Sequence, residues 1–98
     1  MITVGNPPHK EQAMDSTMSL YHKAMSINPN AGAWCETLGL SRNALAVAKL
    51  RGRLSPGLAG ALASNMPNED VQRWINIATI EGEQNTTIKG RLQRVLKL

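Results

Sequence analysis

Between Ala33 and Arg53 the chain runs AWCETLGLSRNALAVAKLRGR, a helical pattern that stops at Gly39 and restarts at Ser41 as a base-rich run. The interruption constrains the fold strongly, because two short helices must meet across a tight turn. Gly39 can take the positive φ that closes a helix, and Leu40 can point inward as a wedge between the two. Ser41 is expected to cap the second helix, its hydroxyl accepting from a backbone N–H near Ala44, with no proline or β-branched residue in the next five positions. On the first helix Trp34 and Leu38 lie four apart with Cys35 beside them, and on the second Leu45 and Ala48 lie three apart. Two narrow apolar faces can therefore meet.

A short helix, a glycine turn and a second helix make a helix-turn-helix, a device for laying a helix into the DNA major groove. The segment resembles that of the Cro and lambda-repressor-like family, whose pattern carries a small residue, three more positions, then glycine, an apolar residue and a serine or threonine opening the recognition helix. Cys35, Gly39, Leu40 and Ser41 hold those places here. The next stretch, LSPGLAGALA from Leu54 to Ala63, is similar to the following helix of antitoxin-type members, with Ser55 as cap and Pro56 as first helical residue. The likeness spans residues 30 to 66.

The resemblance implies that Ser41, Arg42, Asn43, Ala46 and Val47 face the groove floor while Leu40, Leu45 and Ala48 face the core. Val47 turns to the core instead if the helix is rotated slightly. Arg42 suits bidentate bonding to guanine, Asn43 suits adenine, and Ala46 or Val47 suits a thymine methyl. Lys49, Arg51 and Arg53, at the far end and in the following loop, would grip phosphates without reading sequence. The backbone N–H groups near Ala31 and Gly32 offer a further phosphate contact.

The distribution of charge says more than the net +4. From Thr37 to Asn68 there is no acidic residue, while Arg42, Lys49, Arg51 and Arg53 are basic; a second acid-free stretch after Glu83 holds Lys89, Arg91, Arg94 and Lys97. Between them lie Glu69, Asp70, Glu81 and Glu83 against Arg73. Bases grouped on one face neutralise phosphates and release counterions. The competing reading is a solvated basic surface.

Ninety-eight residues make one small domain with a modest core, to which a dimer partner would add buried surface. A single cysteine, Cys35, excludes an internal disulfide and a multi-cysteine zinc site; it reads as a small core residue. His9 and His22 carry no ligand pattern, and no metal or cofactor is expected. No P-loop, GxGxxG or HExxH motif occurs and no histidine sits beside a nucleophile, so the chain does not read as an enzyme. No apolar run approaches the roughly 20 residues of a membrane span, and the N-terminus has no signal-peptide core, which points to a cytoplasmic protein without membrane contact.

Elsewhere the pattern is helical, giving an all-α class: a compact bundle of five or six helices containing the helix-turn-helix. Residues 1–12 read as a flexible arm, 13–82 as the DNA-binding domain and 83–98 as a basic amphipathic helix. Asp15 or Ser16 can cap a first helix with Met14, Met18, Tyr21 and Met25 on its buried stripe, ending before Asn28-Pro29. Asn30 can cap the second helix. Asn68 is expected to open a later helix with Glu69 and Asp70 at its positive end and Val71, Trp74, Ile75 and Ala78 inside. Ile77 and Ile80 form a second apolar face that calls for a partner surface. In the last helix Ile88, Leu92, Val95 and Leu96 form one stripe, interrupted by Gly90. That stripe can pack on its own domain or a dimer mate, contact nucleic acid, or serve as a membrane-surface or protein-binding tail.

The sequence thus predicts a phage- or mobile-element-type repressor, binding double-stranded DNA as a homodimer on a palindromic operator, since one short helix reads few base pairs. The alternative is a small helical interaction module or inhibitor whose basic face binds an acidic protein. RNA fits less well, because Tyr21, Trp34 and Trp74 lie on core stripes and leave no stacking platform.

Overall fold

The computed structural model describes residues 15–98. The arm expected over 1–12, and Met14 of the methionine stripe, lie outside the described residues. Among the described residues the chain is all-helical, with six helices and no strand: α1 Thr17–Ile27, α2 Ala31–Leu38, α3 Ala44–Arg51, α4 Pro56–Ser64, α5 Val71–Glu81 and α6 Thr86–Leu96.

Local chemistry sets most boundaries. Ser16 caps α1, its Oγ accepting from the Met18 N–H at 3.1 Å. Pro29 then holds Asn28 in extended backbone (φ −146°, ψ 110°), which ends the helix. The buried face of α1 is Thr17, Leu20, Tyr21 and Ala24. Met18 and Met25, expected on that stripe, pack half-buried at its shoulder, about 100° round the helix. The smaller Thr17 and Ala24 are buried in their place.

Asn30 caps α2 through a 3.0 Å bond from the Ala33 N–H. The helix closes at Gly39, whose φ of +70° permits the paired bonds from Gly39 N–H to the Glu36 carbonyl (3.2 Å) and from Leu40 N–H to that of Cys35 (2.8 Å). Gly52 ends α3 in the same way, with φ +78°. On α4, Ser55 Oγ accepts from the Leu58 N–H (3.3 Å) and Pro56 stands first in the helix.

The start of α3 departs from expectation. Ser41 does not cap it with its hydroxyl; its backbone carbonyl accepts the Ala44 N–H at 3.1 Å, so residues 41–44 form a tight turn and the helix begins at Ala44. The turn satisfies the donor that the hydroxyl was expected to take. Asn68 does not cap α5 either. It sits in left-handed backbone (φ +64°), and Asp70 caps two residues later, accepting from the Arg73 N–H at 3.1 Å.

The core lies among α1, α4 and α5. Leu20, Leu45, Leu54, Leu62, Trp74, Ile77 and Ile80 are its large, fully buried side chains. The α4–α5 pair approaches so closely that a Cβ added at Gly60 would stand 2.9 Å from Ile75 Cγ1. Ile77 and Ile80 are both fully buried within the chain, so they form no free partner face. Burial on more than one face of α5 follows from its position in contact with three helices, α4, α1 and α6. Asn85 caps α6 through bonds from the Thr87 and Ile88 N–H groups, and Leu98 turns back against the core. No α6 residue is fully buried, and Ile88 and Val95 are exposed.

Candidate nucleic-acid interface

α3 packs chiefly on α2 and stands at the margin of the bundle. With about 100° per residue, Leu45 and Ala48 point to the core; both are buried, with Ala44 half-buried beside them. The opposite line carries Asn43, Ala46, Val47 and Leu50, with Lys49 on one flank and Arg51 on the other. Ser41, Arg42, Asn43, Ala46, Val47, Lys49, Arg51 and Arg53 are all exposed. Val47, open in sequence to either assignment, is 41% exposed and faces outward.

The structure spreads the bases along this edge rather than clustering them. Arg42 lines a hollow of about 430 Å³ with Asn30, Ala33, Glu36 and Leu40. Arg51 and Arg53 line a second cleft of about 310 Å³ at the other end, where α4 begins with Ser55 and Pro56 and where Thr79 and Gly82 of the α5 end stand opposite. Asn43, Ala46, Val47 and Leu50 run between the two.

Two ion pairs occur among the described residues, Lys23–Glu69 (3.4 Å) and Arg73–Asp15 (2.8 Å). Neither involves Arg42, Lys49, Arg51 or Arg53. Lys23 and Arg73 also lie over the Trp74 ring, 5.7 and 5.4 Å from its centroid, and Glu69 accepts from the indole N–H at 2.8 Å. The bases on α1 and α5 are thus engaged within the fold, while those around α3 face outward.

Three features of the site were not read from sequence. Glu36, immediately before the acid-free stretch, shares the hollow with Arg42 and the first turn of α2. Its carboxylate opposes a phosphate at the Ala31 and Gly32 N–H groups, and the Asn30 side chain already occupies the Ala33 donor there. Leu50 is 88% exposed on the outermost line of α3. Its place one turn beyond Ala46 is visible in the spacing.

The third is a polar tie beneath the site. The fully buried Thr17 hydroxyl donates to Glu81 and accepts from the Leu54 N–H at 2.8 Å. Glu81 also accepts from the Ser16 hydroxyl (3.0 Å) and the Thr17 N–H (3.4 Å). The last residue of α5 therefore caps the start of α1, and Thr17 holds the backbone directly after Arg53. Buried polar groups of this kind fix geometry because an unmatched donor or acceptor is costly.

No group of three or more side chains suited to a metal ion occurs among the described residues, and none of their helices is long and apolar enough to cross a membrane. No protein-family model, curated protein or solved structure matches the chain.

Proposed function

We propose that this protein is a sequence-specific DNA-binding regulator of Cro-like helix-turn-helix type, with α2 as the supporting helix and α3 as the recognition helix. The observation that carries the reading is the outward line of α3, flanked by Lys49 and Arg51 and bracketed by Arg42 and Arg53, all of them exposed and outside the ion pairs described. An eight-residue helix is about 12 Å long, comparable with the roughly 12 Å width of the major groove.

In this reading Arg42 and Asn43 meet base edges from the turn that precedes α3, with Ser41, Ala46 and Val47 close to the groove floor. Lys49, Arg51 and Arg53 hold phosphates and set register. One such helix covers few base pairs, so a homodimer on a palindromic operator supplies the missing specificity, as a phage or mobile-element repressor requires.

The test is selection of bound sites from random duplexes, repeated at two salt concentrations. An enriched palindrome whose affinity falls steeply with salt is the expected result. A second reading draws on the exposed Val47 and Leu50: an acidic protein partner would use the same aliphatic line and basic rim. Absence of any enriched duplex at either salt moves the function to that partner.

A further inference from the structure

α6 packs on α5 and is covered along one side only. With about 100° per residue, Lys89, Leu92, Gln93 and Leu96 fall together on its half-buried side, and the arc opposite carries two parallel strips. One is aliphatic: Ile88 and Val95, at heptad spacing, are 45% and 68% exposed. The other is basic, with Arg91 and Arg94 exposed beside them. No acidic residue follows Glu83, and neither ion pair among the described residues involves α6. An isolated exposed aliphatic residue needs no explanation. Here Ile88 and Val95 are joined by the half-buried Leu92 into a seam of the kind across which helices pair, bordered by cations that nothing in the described fold neutralises.

We infer that α6 docks an acidic amphipathic helix of a partner protein, whose aliphatic residues pack along Ile88, Leu92 and Val95 and whose carboxylates meet Arg91 and Arg94. The inference is independent of the DNA-binding function proposed for α3 and gives the molecule a second surface. Charge complementarity selects this occupant. A second copy of the chain answers the seam poorly: antiparallel α6 helices related by a twofold bring like flanks together, so the arginines of both copies would stand side by side, and α6 has no acid to offer in either orientation. Duplex phosphates would match the arginines but leave Ile88 and Val95 uncovered. A bilayer would meet cations on both flanks of an inserted stripe, whereas one flank here is Leu92 and Leu96, half-buried against the bundle. A helix with acids along one edge satisfies both strips at once, and α6, about 16 Å long, presents about three turns to it.

The experiment titrates the isotope-labelled full chain with two synthetic helical peptides and follows the backbone amide resonances. Both peptides carry leucines at i, i+4 and i+7; glutamates border the stripe in one and lysines in the other. The acidic peptide should shift the amides of α6 and leave those of α3 in place, with an affinity that falls as salt rises. The lysine peptide should bind neither. Arg91→Ala with Arg94→Ala should weaken the acidic peptide about three- to tenfold, the effect of losing two exposed ion pairs. Arg91→Glu with Arg94→Glu should exchange the preference, taking up the lysine peptide in place of the acidic one, a reversal that a loss of structure does not produce. Circular dichroism of both variants establishes that α6 remains helical. Shifts confined to α3, equal responses to the two peptides, or no response at low salt overturn the inference. So does a dimer that Val95→Asp dissociates, which gives the face to a second copy. A random-sequence duplex or phosphatidylglycerol vesicles that move the α6 amides where the acidic peptide does not also overturn it, in favour of nucleic acid or membrane. Each of these results leaves site selection by α3 as a separate question.

Discussion

α5 and α3 are both short helices entered from a turn, yet they dispose of their apolar residues in opposite ways. α5 buries Trp74, Ile77, Ala78 and Ile80 and presses Ile75 against Gly60. α3 buries two residues and turns its remaining aliphatic surface outward. The contrast teaches that stability and surface chemistry are assigned to different parts of this small chain. The α1, α4 and α5 core holds the fold, and α3 is anchored by Leu45, Ala48 and the turns at Gly39 and Gly52. Its outward residues are therefore free to vary without loss of folding.

The largest test of that division is Ile77→Ala. Ile77 is fully buried at the centre of the core, and truncation should cost about 2–5 kcal/mol in urea unfolding, enough to unfold a marginal domain. A loss below 1 kcal/mol would show that the site can collapse and that the core is looser than its burial indicates. Next in size is Thr17→Val, close in shape but without the hydroxyl. It leaves the Leu54 N–H without its acceptor and removes one of the donors to Glu81, at a cost of about 1–3 kcal/mol, while Thr17→Ser should retain most of the stability. Equal midpoints for the valine and serine variants would mean that the tie between α1, α5 and the loop after α3 contributes nothing.

Two glycine replacements sharpen the comparison because their signs should differ. At Gly60 a new methyl meets Ile75 at 2.9 Å in the tightly packed α4–α5 contact, so Gly60→Ala should destabilise by about 1–3 kcal/mol, less the gain in helix propensity. At Gly90, within α6, the nearest atom would be the Arg94 guanidinium at 3.9 Å. Gly90→Ala should raise stability by about 0.5–1 kcal/mol, seen as an upward shift in the unfolding midpoint. A destabilised Gly90→Ala would place α6 in the packed core rather than on its margin, and a stabilised Gly60→Ala would show that the α4–α5 contact yields to the added methyl.

What was legible in the sequence follows from the range of the forces involved. Gly39, Asn30, Ser55 and Pro56 act on backbone groups within a few residues, and their roles read directly from local chemistry. Ser41 misled because two acceptors of one residue compete for the same donor, and the carbonyl takes it. The methionine stripe of α1 was offset by about 100° because Tyr21 belongs to both candidate faces, and only the neighbouring helices decide between them. Ile77 and Ile80 read as a surplus face because periodicity does not show that α5 is covered on more than one face. Glu81 was opaque for a plainer reason: its partners Ser16 and Thr17 are 65 and 64 residues away. For the candidate site, the family resemblance named eight residues, all of them exposed, with Val47 left open between groove and core, but it gave no weight to Leu50 or to the proximity of Glu36 and Arg42.

The smallest expected effect on stability is the most informative about α3. Leu45 and Leu50 are the same residue type on the same eight-residue helix, one fully buried and the other 88% exposed. Leu45→Ala should cost about 2–5 kcal/mol, because it removes core contacts and leaves a cavity. Leu50→Ala removes almost no buried area and exchanges two good helix formers, so its unfolding midpoint should stay within about 0.5 kcal/mol of the parent. A substantial loss at Leu50 would mean that α3 is packed against another surface in solution, and the aliphatic line would then belong to an assembly of the protein. An unchanged midpoint together with weakened binding would separate the two roles of the helix: Leu45 holds it on the bundle, and Leu50 serves what the bundle presents it to.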